Sequence, residues 1–246
     1  MSAVAVQDFF HIVLVEPEDS INIGCVARAM LNCGFKHLHL VSPLNYDPEK
    51  AAWSACWAAH LLNDTKIYQT LDQALQEMTD VIGFSARESR NRREQFFLTA
   101  WSETFKVIPE GSRIALLFGN ERTGLRNEHL TRCRALVKIP ASKENPSYNL
   151  AQGVLLALFE IYRSTLSTER HVVVKGQKPA TAEGLKYLDN FIDELLNNSG
   201  FYHKSSSPAV KRILSNLIRR MQPDERELGI LLSVFNHLAR VTSKQE

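Results

Sequence analysis

Four clusters of polar residues in this 246-residue chain combine side-chain types and spacings that suit chemistry. The first is Asn22-Ile23-Gly24-Cys25-Val26-Ala27-Arg28, at the start of a helical pattern. Arg28 stands one turn beyond Gly24, and helical side chains lean toward the N-terminus, so its guanidinium points over a bare turn. Near the unpaired N–H groups of a helix start, it suits a phosphate or a ribose oxygen. A solvated helix arginine with Asn22 as a plain cap is the alternative. The second cluster, Leu116-Leu117-Phe118-Gly119-Asn120-Glu121-Arg122-Thr123-Gly124-Leu125, is an apolar strand entering a loop with two glycines. Such a loop lets a ligand approach the main chain closely, with Glu121 as a polar contact. A turn carrying a surface glutamate explains the same residues.

The third cluster is Ile139-Pro140 and then Pro146-Ser147-Tyr148-Asn149-Leu150, leading into an apolar helix. Amides at a helix start suit a carboxylate or an adenine edge, and Ser147 or Asn149 equally suits a cap. The fourth is Gly83-Phe84-Ser85-Ala86-Arg87, followed by Arg90, Arg92 and Arg93. Four arginines within seven positions fit phosphate contacts or, equally, a solvated charged loop. No GK[ST] follows the glycine loop and no GxGxxG follows the first strand, which argues against a P-loop and against a dinucleotide fold.

These clusters need a frame that ends several strands at one edge. Short β-branched runs at His11 to Val15, His37 to Val41, Asp80 to Phe84, Arg113 to Phe118 and Ala135 to Ile139 alternate with helical patterns. The helices are expected at Asn22 to Asn32, Trp53 to Leu62, Leu71 to Met78 and Asn149 to Arg163. The alternation predicts an α/β domain with a mostly parallel sheet, whose ligands bind at the carboxyl ends of strands. The predicted division is a domain over 1–165, a linker over 166–180 marked by Gly176 and Pro179, and a helical extension over 181–246. In that extension Asp224 and Glu227 predict a capping box.

A composition of 44% apolar and 23% charged residues is that of a globular protein, and a net charge of +2 neither demands nor excludes a nucleic-acid partner. Four cysteines without a CxxC pair read as reduced thiols of a cytoplasmic protein. The N-terminus resembles neither a signal peptide nor an anchor, and no apolar run is long enough to span a bilayer. No cluster has metal-ligand spacing, and no histidine is assigned a catalytic role.

Taken in order, NIGCVARA, LLFGNERTGL, and IP followed by NPSYNLA resemble the three motifs of the SpoU or TrmH-type SPOUT methyltransferases, across roughly residues 10 to 165. The tail, with GLKYLDNFIDELLNNSGF and PDERELGILLSVF, is similar to the extension of the TrmJ subgroup, which methylates the ribose of nucleotide 32 in the tRNA anticodon loop. The resemblance implies a trefoil knot, a homodimer joined at the knot region, and S-adenosyl-L-methionine as the cofactor. It implies cofactor contacts at Phe84, Ser85, Ala86, Gly119, Ile139, Ser147 and Tyr148. The catalytic arginine maps to Arg28, supported by Asn22, Glu121, Ser147 and Asn149. RNA contacts are expected from Arg28, Arg87, Arg90, Arg92 and Arg93, and from Lys211, Arg212, Arg219 and Arg220 of the tail. Where the subgroup commonly has a proline-containing loop, this chain has SARESRNRREQ, which bears on substrate recognition. Arg28 fits either a perturbed base or an oxyanion stabiliser. Two other functions fit the same residues: the same chemistry on ribosomal RNA or another tRNA nucleotide, and a non-catalytic RNA-binding module.

Overall fold

The computed structural model describes residues 5–87, 94–104, 107–166, 172–174, 176, 178–204 and 207–242. Seven parallel strands form one sheet: β1 (Phe10–Val15), β2 (His37–Val41), β3 (Lys66–Tyr68), β4 (Asp80–Phe84), β5 (Glu94–Phe97), β7 (Ile114–Phe118) and β8 (Ala135–Lys138). Their spatial order is β3-β2-β1-β7-β4-β8-β5, so the predicted parallel α/β sheet is what forms. Each central strand is covered on both faces, which is why it reads as an unbroken apolar run. Ile12 and Leu14 of β1 with Leu116 and Phe118 of β7 enter one core layer. Val13, Val15, Ala115 and Leu117 alternate into the opposite layer. A separate parallel pair joins β6 (Val107–Pro109) to β9 (Val172–Val174), a strand that falls between the sheet domain and the tail.

Helix α1 (Ser20–Asn32) begins two residues before the predicted start, because Asp19 is the cap: its carboxylate accepts from the Ile21 N–H at 2.8 Å. The helix stops at Gly34, whose φ of +80° lets the Phe35 N–H reach the Met30 carbonyl at 2.9 Å. Helix α2 (Pro48–Ala55) also departs from the reading of a single helix over Trp53 to Leu62. Asp47 caps it and Pro48 opens it, and it ends at Cys56, where φ is +53°. A 3₁₀ turn (Cys56–Ala58) and the short α3 (Ala59–Asn63) follow. Thr70 and Gln73 form a capping box for α4 (Leu71–Leu75), and α5 (Leu98–Ser102) and α6 (Asn127–Leu130) are single-turn elements. Helix α7 (Leu150–Thr165) packs against α1 on one face of the sheet.

The tail is helical, as predicted: α8 (Ala182–Asn198), α9 (Ser207–Met221) and α10 (Glu225–Thr242). The expected capping box is present, with Asp224 accepting from the Glu227 N–H at 2.8 Å and Glu227 from the Asp224 N–H at 2.9 Å. Leu185, Leu188, Ile192, Ile218 and Leu228 give the tail its own small core. It is fastened to the sheet domain by the Ala182 N–H on the Met78 carbonyl at 2.6 Å and by Lys186 on Asp72 at 2.7 Å.

Candidate active site at the carboxyl edge

Strands β7, β4 and β8 are neighbours, so the segments that leave their carboxyl ends emerge side by side. Phe84, Ser85 and Ala86 follow β4, Gly119 to Gly124 follow β7, and Ile139 to Asn149 follow β8. Phe84 is buried, stacked on Phe118 with centroids 4.4 Å apart and edge-on to Trp101 at 5.7 Å. Its ring belongs to the core, so only its main chain can meet a ligand. Ser85 donates its N–H to the Val137 carbonyl at 3.1 Å, holding the β4 exit against β8. Arg87 donates to the Thr123 carbonyl at 3.0 Å and so joins the β4 and β7 exits. Arg90, Arg92 and Arg93 lie outside the described residues.

The first and second sequence clusters meet through Glu121. Its carboxylate accepts from the Glu18 N–H at 2.9 Å, the Asp19 N–H at 3.2 Å and the Asn22 side-chain amide at 3.1 Å. Asn22 accepts in turn from the Asn149 side chain at 3.0 Å. The Asn149 oxygen caps α7, accepting from the Ala151 N–H at 2.9 Å. Asn149 is therefore both a cap and a site residue, and the two readings of it are compatible. A continuous chain of polar contacts thus ties together segments about 100 residues apart in pairs (Asn22–Glu121 |i−j| = 99, Asn22–Asn149 |i−j| = 127). Tyr148 closes the β8 exit by donating to the Pro140 carbonyl at 2.7 Å, and Ser147 is exposed within that loop.

Two sequence readings, the bare turn at Gly24 and the RNA contact at Arg219, are corrected. Gly24 does not leave a bare turn for a ligand. A side chain there would strike Ser54 and the Ala51 carbonyl, so the glycine allows α1 and α2 to cross closely. Gly119 also serves the chain's own packing, since a Cβ would collide with Gly124 and the Leu125 nitrogen where the loop folds back. Arg28 is exposed and donates to the Cys56 sulfur at 3.7 Å; it does not touch the Glu121–Asn22–Asn149 chain. Six residues separate it from Asn22, a rise of about 9 Å along the helix. In the tail, Arg219 is buried against Asp189 at 2.7 Å, whereas Lys211, Arg212 and Arg220 are exposed, with Lys211 paired with Asp193 at 2.6 Å.

Asn120 is the residue sequence reasoning passed over. It is buried, donates to the Glu16 carbonyl at 2.8 Å and accepts from the Arg122 and Thr123 N–H groups at 2.9 and 3.1 Å, so it shapes the loop that presents Glu121. An amide between a strand end and a glycine-closed turn is the signal, since such side chains satisfy turn N–H groups. Three of the histidines, His11, His37 and His39, cluster toward the amino ends of β1 and β2. A cavity of about 680 Å³ also opens at the amino edge, between sheet and tail, lined by Asp80, Glu94, Arg134 and Gln222.

The SpoU rRNA Methylase family model matches residues 9–159, which contain all four clusters. The tRNA (cytidine/uridine-2'-O-)-methyltransferase TrmJ of Sodalis glossinidius is 33% identical over 241 residues, covering 96% of this chain and 93% of the relative. The tRNA (cytidine-2'-O-)-methyltransferase TrmJ of Methanocaldococcus jannaschii is 29% identical over 225 residues, covering 91% and 97%. Among solved structures, TrmJ from Z. mobilis ZM4 superposes with a TM-score of 0.78 at 27% identity, covering 93% of this chain and 98% of that one. The match therefore includes the helical tail as well as the sheet, and the chain belongs to the SpoU methylase family.

Proposed function

We propose that this protein transfers a methyl group from S-adenosyl-L-methionine to the ribose 2'-hydroxyl of a cytidine or uridine in tRNA, at nucleotide 32 of the anticodon loop. The observation that carries the reading is the Glu121–Asn22–Asn149 chain, which locks the three cluster segments together at the carboxyl edge of the sheet. Relatives named as tRNA ribose methyltransferases extend over nearly the whole chain, tail included. The cofactor's fit rests on the donor set: main-chain groups of three adjacent loops, the half-buried aliphatic Ile139 and the ring of Tyr148 suit an uncharged adenine and a ribose.

When bound, the sulfonium supplies an electrophilic methyl group, so the protein's task is to align and activate the attacking oxygen. Arg28, exposed on the same helix as Asn22, holds the 2'-oxygen and stabilises its developing negative charge. A guanidinium keeps its proton throughout the ordinary pH range, so a base role is the harder one. Glu121 orients Asn22, and Asn149 fixes the start of α7, so the β8 exit keeps its shape while substrate enters. Arg87, with the arginines of positions 90, 92 and 93, serves RNA phosphates.

The assembly proposed is a cytoplasmic homodimer joined at a trefoil knot, with residues 1–165 as the methyltransferase unit and 181–246 as the extension. Leu155, Leu156 and Phe159 of α7 stand exposed at 40%, 36% and 52%, a face that a second copy would cover. No helix among the described residues is long and apolar enough to cross a membrane. The test is transfer of labelled methyl groups to unmodified tRNA by the wild type and Arg28→Ala in parallel. Ribose label that disappears in the variant supports the reading; label on ribosomal RNA alone replaces the substrate, and a folded protein that labels no RNA refutes it.

A further inference from the structure

Two of the three tryptophans stand in solvent on either side of Arg28's contact. Trp53 is 78% exposed and Trp57 is 92% exposed, whereas Trp101 is buried against Phe84. Neither exposed ring packs on another aromatic side chain among the described residues. Cys56 lies between them in the chain, and its sulfur receives the Arg28 guanidinium at 3.7 Å. The backbone turns sharply there, with φ of +53° ending α2, so Trp57 leaves the helix that carries Trp53. Arg28 thus touches a residue flanked in the chain by two exposed indoles, Trp53 three positions before it and Trp57 directly after. Indole is rarely left this open, because its apolar area favours burial.

We propose that Trp53 and Trp57 form a stacking platform for the unpaired bases that flank the target nucleotide, and thereby select the RNA loop that is methylated. The inference rests on the function proposed above. The occupant follows from charge and shape together. A cation held on the segment that carries two open aromatic side chains matches a nucleotide's phosphate and its neighbouring bases, and the exposed side chains beside the tryptophans in the chain are the polar Glu49, Lys50 and His60. Single-stranded RNA is recognised in this manner, by splaying bases onto aromatic rings. A ribose held at Arg28 brings its adjacent bases to the segment that carries both indoles, since Arg28 touches Cys56 between them in the chain. Stacking tolerates any base, so the platform reads an open loop rather than a sequence.

The experiment compares wild type, Trp57→Ala, Trp57→Phe and the Trp53→Ala/Trp57→Ala pair, all full-length. Steady-state methyl transfer to a tRNA transcript, S-adenosylmethionine affinity, sedimentation and tryptophan emission with an anticodon stem-loop RNA are read together. The expected result for Trp57→Ala is a KM for tRNA raised roughly 5- to 100-fold, the loss of one base–aromatic stack, with kcat within about twofold. Cofactor affinity and oligomeric state stay unchanged, and Trp57→Phe recovers most of the KM. The stem-loop quenches wild-type emission, while the double variant, left with buried Trp101, shows little change. An unchanged KM and unchanged RNA affinity in the double variant overturn the proposal. So does a KM effect that appears only with loss of oligomeric state, which would make the indoles contacts to a second copy. Quenching by RNA in a wild type that transfers no methyl group upholds the platform and refutes the methyltransferase reading alone.

Discussion

Replacing Glu121 with glutamine keeps the side chain's shape and removes its charge. The carboxylate accepts three hydrogen bonds, from the Glu18 and Asp19 N–H groups and the Asn22 amide. A glutamine oxygen in the position that now accepts two of these preserves both as neutral bonds. Its NH₂ then faces the Glu18 N–H, donor against donor. Bonds to a charged acceptor contribute about 1.5–3 kcal/mol each and neutral ones about 1 kcal/mol, so a fully sealed site would lose several kcal/mol. Glu121 is only half-buried, and water can take up the displaced N–H group, which reduces the expected loss to about 1–2 kcal/mol. For a chain of this size that is a fall in Tm of about 3–6 °C. Asn22 also loses its orientation, and misplacement of a positioning group by about 1 Å can cost 100-fold in rate. The assay pairs thermal unfolding with single-turnover methyl transfer at saturating cofactor, for Glu121→Gln, Asn22→Ala and the double variant. The two substitutions should be strongly non-additive, because they remove one shared contact. A Glu121→Gln protein that melts within about 1 °C of the wild type, less than the shift of even 1 kcal/mol, and turns over at its rate would refute the reasoning.

Gly24→Ala should force α1 and α2 apart, since the new methyl group strikes Ser54 and the Ala51 carbonyl; a loss of about 2–3 kcal/mol in urea unfolding is expected, and a neutral result would disprove the tight crossing. Cys56→Gly should relieve a non-glycine residue held at φ +53°, for a net gain of about 1 kcal/mol and a higher Tm. Stability should also fall in mild acid. Burial, aided by His37 and other nearby cations, lowers His11 to about 3, and burial with Lys66 lowers His39 to about 4. Both fold as neutral rings, so their contribution is complete above the unfolded value of 6.5 and is lost as pH falls through it toward the folded values. At pH 5 the loss is about 2 kcal/mol for each ring, measured as a drop in urea midpoint that His11→Val/His39→Val should flatten.

The sequence carries the sheet's five apolar strands because burial on both faces writes itself as continuous Val, Ile, Leu and Phe. Strands β3, β5, β6 and β9 escape it: each has three or four residues, and Lys66 and Glu94 interrupt the apolar signal of β3 and β5. Strand order is not legible either, since nothing local in β7 says that it lies between β1 and β4. The motif residues Asn22, Glu121 and Asn149 are legible as polar positions, and the fold alone reveals that they bond to one another. Gly24 is misread for a physical reason: a glycine that admits a ligand and one that admits the chain's own backbone look the same in one dimension. Cys56 and the two exposed tryptophans are invisible for the same reason, because WSACW reads as helix until the turn at Cys56 is seen.

The carboxyl edge of β4, β7 and β8 and the cavity at the amino edge are the two candidate places for the methyl donor, and they lie at opposite ends of the same strands. A crystal structure of the protein soaked with S-adenosylmethionine separates them. Density against the main chain of Gly119, Ile139 and Tyr148, with the methyl group turned toward Arg28, is the predicted result. Density in the amino-edge cavity between Asp80, Arg134 and the tail would contradict it.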